Sequence, residues 1–326
     1  MNSELVHGLG ISVIGRMPTL KKMGVGFVQV NGLDVSKITR VDIGHISERI
    51  QTNKLTEYIL ATLPGVSELT LDKDCKVDIE APADVLTVTF IKVAQSCTAS
   101  ITEKSKGGTH LIIVEAGENS RINYVSTQEN SENTVLMRDI HFVLNKKAQA
   151  KLVDIELGHG MTIQRHHSVL KGANSGVEIT NLFLASKNKT GSSKYFITHD
   201  AESTNSLLTF SGAATGTAKY ICHGRIHMNA NAHNAQGVLN EHTLLLSDKA
   251  EISTLPQLEV HVPDVSCHHS ASTGGIDNEK LFYLQSRGIQ QKEATKLILE
   301  GFFNSALKEL DETIKTKVIT EIGEIA

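Results

Sequence analysis

At 326 residues the chain is long enough for a sizeable core, as one elongated domain or two compact ones. A formal net charge of −4 with both signs interspersed offers no electrostatic reason to bind nucleic acid or an anionic membrane surface. No apolar run reaches the ~18 residues of a membrane span, and cysteines at 75, 97, 222 and 267 are too scattered for a disulfide framework, so a reducing, cytoplasmic setting is expected.

The amino terminus, with Glu4 early and no unbroken apolar core, reads as a poor signal peptide. Residues 1–65 read as a mixed α/β cap. Val25 to Val30 and Ile38 to Ile43 resemble short strands, and Ile46 to Leu63 carries a loose helical pattern that ends at Pro64-Gly65. From Val66 onward the chain turns to short strands at short intervals. They include Leu69 to Leu71, Val77 to Ile79, Val85 to Ile91, Ala99 to Ile101, His110 to Val114, Arg121 to Val125, Val135 to Ile140 and Ala150 to Leu157. Met161 to Ile163, Gly176 to Ala185, Lys194 to Ile197, Ser206 to Phe210, Ala218 to Cys222 and Ala250 to Ser253 continue the series. Proline is absent between Ala83 and Leu255, which suits interior strands that must each donate to a neighbour.

No helix interrupts this series, so a sandwich, a barrel or a solenoid is implied. Asn-Gly and Asp-Gly hairpin signals are missing, and the segments recur at roughly 20–30 residues, the spacing of stacked coils. Tryptophan is absent and aromatics make up 4% of the chain, so a narrow core of aliphatic and small residues is expected.

The stretch from Leu255 to Gly288 gathers the most chemistry. Leu258, Val260 and Val262 alternate with Gln257, Glu259 and His261, the period of a half-buried strand, between Pro256 and Pro263. Cys267-His268-His269 follows, placing one thiol and two imidazoles within three residues. In an extended segment Cys267 and His269 share one face and His268 takes the other. Asp277 then reads as the N-cap of a short helix closed by Gly288. Lys292 to Leu310 places Ala294, Leu297, Ile298, Phe302 and Ala306 on one helical face, and Ile314, Val318, Ile319, Ile322 and Ile325 repeat the pattern. The domains expected are residues 1–65, a β core over 66–275 and a helical region over 276–326.

This stretch resembles the SufB/SufD family, the scaffold subunits of Suf-type iron–sulfur cluster assembly. The resemblance rests on Leu244 to Asp248, Pro256 to Val260, Asp264 to Cys267, His269, Gly274 to Asp277, Leu281 to Leu284 and Ser286 to Ile289, in fixed order. It covers roughly residues 236–310 well and 140–235 by general character. It implies a mostly β fold, a right-handed parallel β-helix with a helical C-terminal domain. It also implies a transient iron–sulfur cluster near a contact between two scaffold chains, and a SufC-type ABC ATPase as partner on the C-terminal helices.

Residue by residue, the expected metal donors are Cys267 and His269, with Cys222 and Glu241 in reserve. The other histidines, among them His166, His167, His199, His227, His233 and His261, read as ordinary solvated imidazoles. Leu258, Val260 and Val262 are expected at the dimer interface, a homodimer being favoured over a heterodimer. Tyr283, Arg287, Phe302 and Phe303 are expected to dock the ATPase. Ala250 stands where SufB-type members carry a cysteine, so in this respect the chain looks SufD-like; Ser270 and Ser272 replace the family's glycine and threonine. No Cys₄ set with ferredoxin spacing exists, so one chain is poorly equipped to hold a four-iron cluster alone.

No P-loop, GxSxG or HExxH motif is present, so a non-catalytic protein is expected. Two rival readings remain. A structural adaptor for the ATPase keeps the fold without the metal. A β-helix enzyme acting on polysaccharide would need paired carboxylates in an aromatic groove, which this composition does not supply.

Overall fold

The computed structural model describes residues 24–25, 29–31, 38–41, 66–83 and 85–326. The helix expected over Ile46 to Leu63 lies outside the described residues. Three short strands come first: β1 (Gly24–Val25), β2 (Gln29–Asn31) and β3 (Ile38–Val41). Then follow β4 (Val66–Leu71), β5 (Cys75–Ala81), β6 (Val85–Val93), β7 (Thr98–Ser105), β8 (Gly108–Ala116) and β9 (Arg121–Gln128). The middle is built of β10 (Val135–Leu144), β11 (Gln149–Glu156), β12 (Met161–Leu170), β13 (Gly176–Ala185) and β14 (Thr190–His199). The last strands are β15 (Asn205–Ala214), β16 (Lys219–Met228), β17 (Gln236–Leu245), β18 (Glu251–Val260) and β19 (Ser266–Gly274).

From β4 onward successive strands alternate between two sheets. Even-numbered strands pair in parallel in one sheet, odd-numbered strands in the other, which makes a parallel β-solenoid. The coil lengthens along the chain: Val135 pairs with Met161, 26 residues on, Thr162 with Gly191, 29 on, and Lys219 with Glu251, 32 on. At the other end β3 and β2 run antiparallel to β4 and β5.

The corner between sheets explains why hairpin signals were missing. Ser96, Asn119, Lys147, Asn174, Ser203 and Asn234 all have left-handed φ between 56° and 61°. Each recurs once per coil, and its N–H donates to the same corner of the next coil. Asn119 donates to Lys146, Lys147 to Ala173, Asn174 to Glu202, Ser203 to His233 and Asn234 to Asp264, at 2.8–3.1 Å. Asparagine tolerates this conformation better than most residues. The corners therefore stack as a ladder of their own.

Two cores result. The first fills the bore, with Leu69, Val77, Ile101, Ile122, Leu152, Ile179, Ile197, Leu208 and Leu239 all buried. Contrary to the composition-based expectation, aromatic rings concentrate there. Tyr124, Phe142, His166, Tyr195 and Phe210 follow one another at 5.1–5.6 Å between centroids, and Phe183 stacks on Tyr220 at 3.9 Å. Glycines make room: a Cβ on Gly212 would lie 1.9 Å from Phe183. The second core lies between the outer face of the odd-strand sheet and the helices. There Val153, Ile155, Leu182, Leu184 and Ala213 meet Leu299, Phe303, Leu307, Ile314, Val318 and Ile322.

The helical region comprises α1 (Asn278–Ser286), α2 (Gln291–Phe302), α3 (Asn304–Leu307) and α4 (Glu312–Ile325). The Asp277 carboxylate accepts from the Glu279 and Lys280 amides at 3.0 and 3.1 Å, the expected cap. Gly288 ends α1 at φ 85°, and Ile289 donates back to Leu284 at 3.2 Å. The helix read over Lys292 to Leu310 breaks at Phe303, whose burial against the solenoid turns the chain between α2 and α3.

Pro256 departs from the sequence reading as well, for it lies inside β18 and not at its start. Glu251 and His261 donate to Ala218 and Met228 of the preceding coil, each at 2.9 Å. By alternation, even-numbered positions such as 256 face the outer edge of the sheet. A missing N–H costs nothing there.

Candidate metal centre at the end of the solenoid

β18 and β19 are the terminal strands of their sheets, each paired on one side only among the described residues. In β19, Cys267 stacks over Gly237, His269 over Leu239 and Ala271 over Glu241 of β17. Cys267 and His269 therefore share the bore-facing side, as the i,i+2 spacing predicts. Cys267 is half-buried against the core and burial pushes its thiol up. His269 is exposed, while His268 on the opposite face has its Nε2 3.0 Å from the Ser266 hydroxyl.

The reserve donors lie one coil deeper. Cys222 pairs in register with Thr254 and is fully buried. Burial raises its thiol far above the ordinary range, and the carboxylates of Glu241 and Glu156 raise it further. A thiol held protonated is a poor ligand. Glu241 is also fully buried, and burial lifts its carboxyl to about 7 against the opposing pull of Thr254 and the Gly224 backbone. Neither Glu241 oxygen has a hydrogen-bond partner of normal geometry. The structure thus separates the four donors into two levels: Cys267 and His269 at the mouth, Cys222 and Glu241 beneath.

Below Cys222 and Glu241 the bore carries a polar column that the sequence reading missed. Arg138 pairs with Glu103 and, at 3.0 Å, with Asp154, all with fully buried side chains. Tyr124 donates to Glu103 at 2.7 Å and Tyr195 to Asp154 at 2.5 Å. Ser193 and Tyr220 donate to Glu156. Each member sits at an inward position of an alternating strand, so the signal was a polar residue where the period demands an apolar one.

Two groups of three donors have their ligand atoms within 4.8 Å of one another among the described residues. One is His227, Glu259 and His261; the other is His159, Glu321 and Glu324. Neither contains Cys267 or His269, so these two gain no third donor of that kind from the described residues.

Of the residues expected at a dimer interface, Val260 is exposed, Leu258 is half-buried and Val262 is buried in the bore core. The docking residues divide too. Tyr283 is exposed, and the Arg287 guanidinium lies 5.3 Å from its ring. Phe302 is half-buried, but Phe303 is wholly buried beneath the helices and is no surface anchor. Its neighbour rings meet edge to face at 4.9 Å, so one aromatic faces out and the other in. The sequence reading overlooked Phe282, 73% exposed on a helix that buries none of its residues. Tyr283, Leu297, Phe302 and Leu244 line an open cavity of about 760 Å³ between α1 and α2.

Among the described residues no helix is long and apolar enough to cross a membrane. Residues 84–302 match the family model described as the SUF system FeS cluster assembly, SufBD core domain. The chain is 32% identical over 168 residues to the iron–sulfur cluster assembly protein SufD of Escherichia coli, covering 51% of this chain and 40% of that protein. It is 26% identical over 220 residues to an iron–sulfur cluster assembly SufBD family protein of Staphylococcus epidermidis, covering 68% of this chain and 47% of that one. The chain thus spans less than half the length of these relatives. With a parallel β-solenoid beneath a match over two thirds of its residues, the chain belongs to the SufBD core family.

Proposed function

We propose that the chain is a non-catalytic scaffold in iron–sulfur cluster assembly, holding a nascent cluster or its iron transiently at the mouth of the solenoid. The observation that carries this reading is the placement of Cys267 and His269 on the same bore-facing side of the last coil, with no close three-donor set around them among the described residues. Two donors are too few for a stable cluster, and a scaffold must release its cargo. Two chains meeting at β18 and β19 would supply two thiolates and two imidazoles, a mixture suited to iron–sulfur ligation. The exposed edges of both strands supply the backbone groups for such pairing, in a homodimer or with a second scaffold chain.

A SufC-type ABC ATPase is the partner proposed for the α1–α2 face, where Phe282, Tyr283 and Arg287 form an aromatic and cationic surface of hot-spot type. The division into residues 1–65, 66–275 and 276–326 and a cytoplasmic location belong to the same proposal.

Anaerobic reconstitution with iron and sulfide tests the site. Wild type, Cys267→Ser, His269→Ala and Cys222→Ser are compared by iron and sulfide bound per chain, with oligomeric state measured alongside. Loss in Cys267→Ser and His269→Ala, with retention in Cys222→Ser, supports the mouth. Loss only in Cys222→Ser moves the site inward, undiminished loading in all four refutes both ligand choices, and failure of the wild type to load leaves the structural adaptor as the better reading.

A further inference from the structure

The outward face of the even-strand sheet carries a donor set that the cluster reading does not use. His227 of β16 and Glu259 of β18 are direct register partners, and the His227 Nδ1 lies 2.7 Å from the Glu259 Oε2. His261 follows two residues after Glu259, on the same side, and its ring centroid is 5.0 Å from that of His227. One ligand atom from each of the three lies within 4.8 Å of the others.

The positions are fixed by the backbone and not by flexible loops. The His261 amide is tied to Met228 at 2.9 Å, and His227 and Glu259 sit within paired strands. A second layer holds the donors. The His227 Nε2 faces the Asn229 Oδ1 at 2.5 Å, and the Asn229 amide is in turn held by Asp200. The Glu259 Oε1 accepts from Gln257 at 2.6 Å, and Arg225 lies 3.8 Å away. When His227 gives its Nε2 hydrogen to Asn229, its Nδ1 presents a lone pair to the Glu259 Oε2. A contact between two lone pairs at 2.7 Å is favourable only with a proton or a cation between them.

We propose that His227, Glu259 and His261 form a mononuclear site for a divalent first-row metal ion. Two imidazoles and one carboxylate suit Fe²⁺, Co²⁺ or Zn²⁺, and the exposure of His261 leaves coordination positions open to solvent or a further ligand. This site is separate from the mouth of the bore: its donors point outward from the even-strand sheet, whereas Cys267 and His269 point inward from the odd-strand sheet. It therefore stands or falls independently of the cluster reading. A plain ion pair with a protonated imidazole would account for His227, Glu259 and Asn229; the metal accounts in addition for the convergence of the third donor, His261.

Anaerobic titration of the full chain with Co²⁺ near neutral pH is the test, read by visible d–d absorbance and by equilibrium dialysis. One equivalent is expected to bind with an oxygen- and nitrogen-type spectrum and no thiolate-to-cobalt band. Glu259→Gln and His261→Ala are each expected to weaken that equivalent by 10-fold or more, with unchanged thermal unfolding of the metal-free protein. The Cys267→Ser/His269→Ala double variant is expected to retain it. Undiminished binding in both Glu259→Gln and His261→Ala would overturn the proposal. So would loss of the ion in the double variant together with a thiolate band in the parent, which would assign the metal to the mouth.

Discussion

Arg138 reaches across the bore to Asp154, its Nη1 3.0 Å from the Oδ1, and both side chains are fully buried. Glu103 completes the arrangement on the other side of the guanidinium, so one cation is held between two carboxylates from different coils. The buried charges are tolerable because every one has a partner; Glu103 alone accepts from Arg138, Ser105 and Tyr124.

Removing the cation leaves two uncompensated carboxylates in the core. Arg138→Met is therefore expected to cost about 3–5 kcal/mol, the usual penalty for breaking a buried pair on one side. Urea unfolding at neutral pH measures it. The triple replacement of Arg138, Glu103 and Asp154 by apolar residues of similar volume should recover most of the loss.

Glu241 gives the fold a pH dependence of opposite sign to that of a salt-bridged acid. Its carboxyl is raised from 4.5 to about 7 by burial. Between those values the folded chain holds a proton that the unfolded chain releases, so stability falls as pH rises through the window. The shift corresponds to about 3 kcal/mol at most. Glu241→Gln is expected to be more stable than the parent at pH 8 and nearly equal to it at pH 4.5, as read from denaturant midpoints.

His199 acts on the acid side. Its Nδ1 and Nε2 lie 2.8 Å from the hydroxyls of Thr204 and Ser206. Thr204 already gives its hydrogen to Ala201, so Nδ1 carries the imidazole proton and Nε2 accepts from Ser206. Burial lowers the imidazole from 6.5 to about 4. The unfolded chain then binds a proton that the folded chain refuses, and stability present above pH 6.5 is lost as pH falls toward 4. His199→Asn is expected to flatten that part of the acid limb, measured by thermal unfolding from pH 7 to 4.

Phe303 and Phe282 provide a contrast between packing and docking. Phe303 is fully buried between α2 and the solenoid, so Phe303→Ala is expected to cost about 3–5 kcal/mol. Phe282 is mostly exposed, so Phe282→Ala should leave thermal unfolding nearly unchanged. Together with Arg287→Glu it is expected to reduce co-purification with the ATPase at least 10-fold. Undiminished co-purification would place the partner elsewhere.

The sequence by itself determined much of this protein. A series of β-branched segments free of proline, without hairpin signals, leaves parallel stacking as the economical way to satisfy every backbone donor. The Asp277 cap, the Gly288 stop and the alternation of Cys267 with His269 are all local, and they hold in the structure for that reason. What only the tertiary structure decided depends on distances across coils. His227 and His261, read as ordinary solvated imidazoles, converge on Glu259 because residues 32 apart become register partners in a coil of that length. Phe303 turns inward because α2 lies against the odd-strand sheet, a placement that helical spacing alone does not encode. β14 was read short and β17 passed over because buried positions such as Gly191, Ser193, Gly237, Glu241 and Thr243 carry small or polar side chains, so burial is not matched by an alternation of hydrophobicity. The polar column was hidden likewise: a glutamate or arginine at an inward position reads as solvent-exposed until the partners that neutralise it, one coil away, are in place.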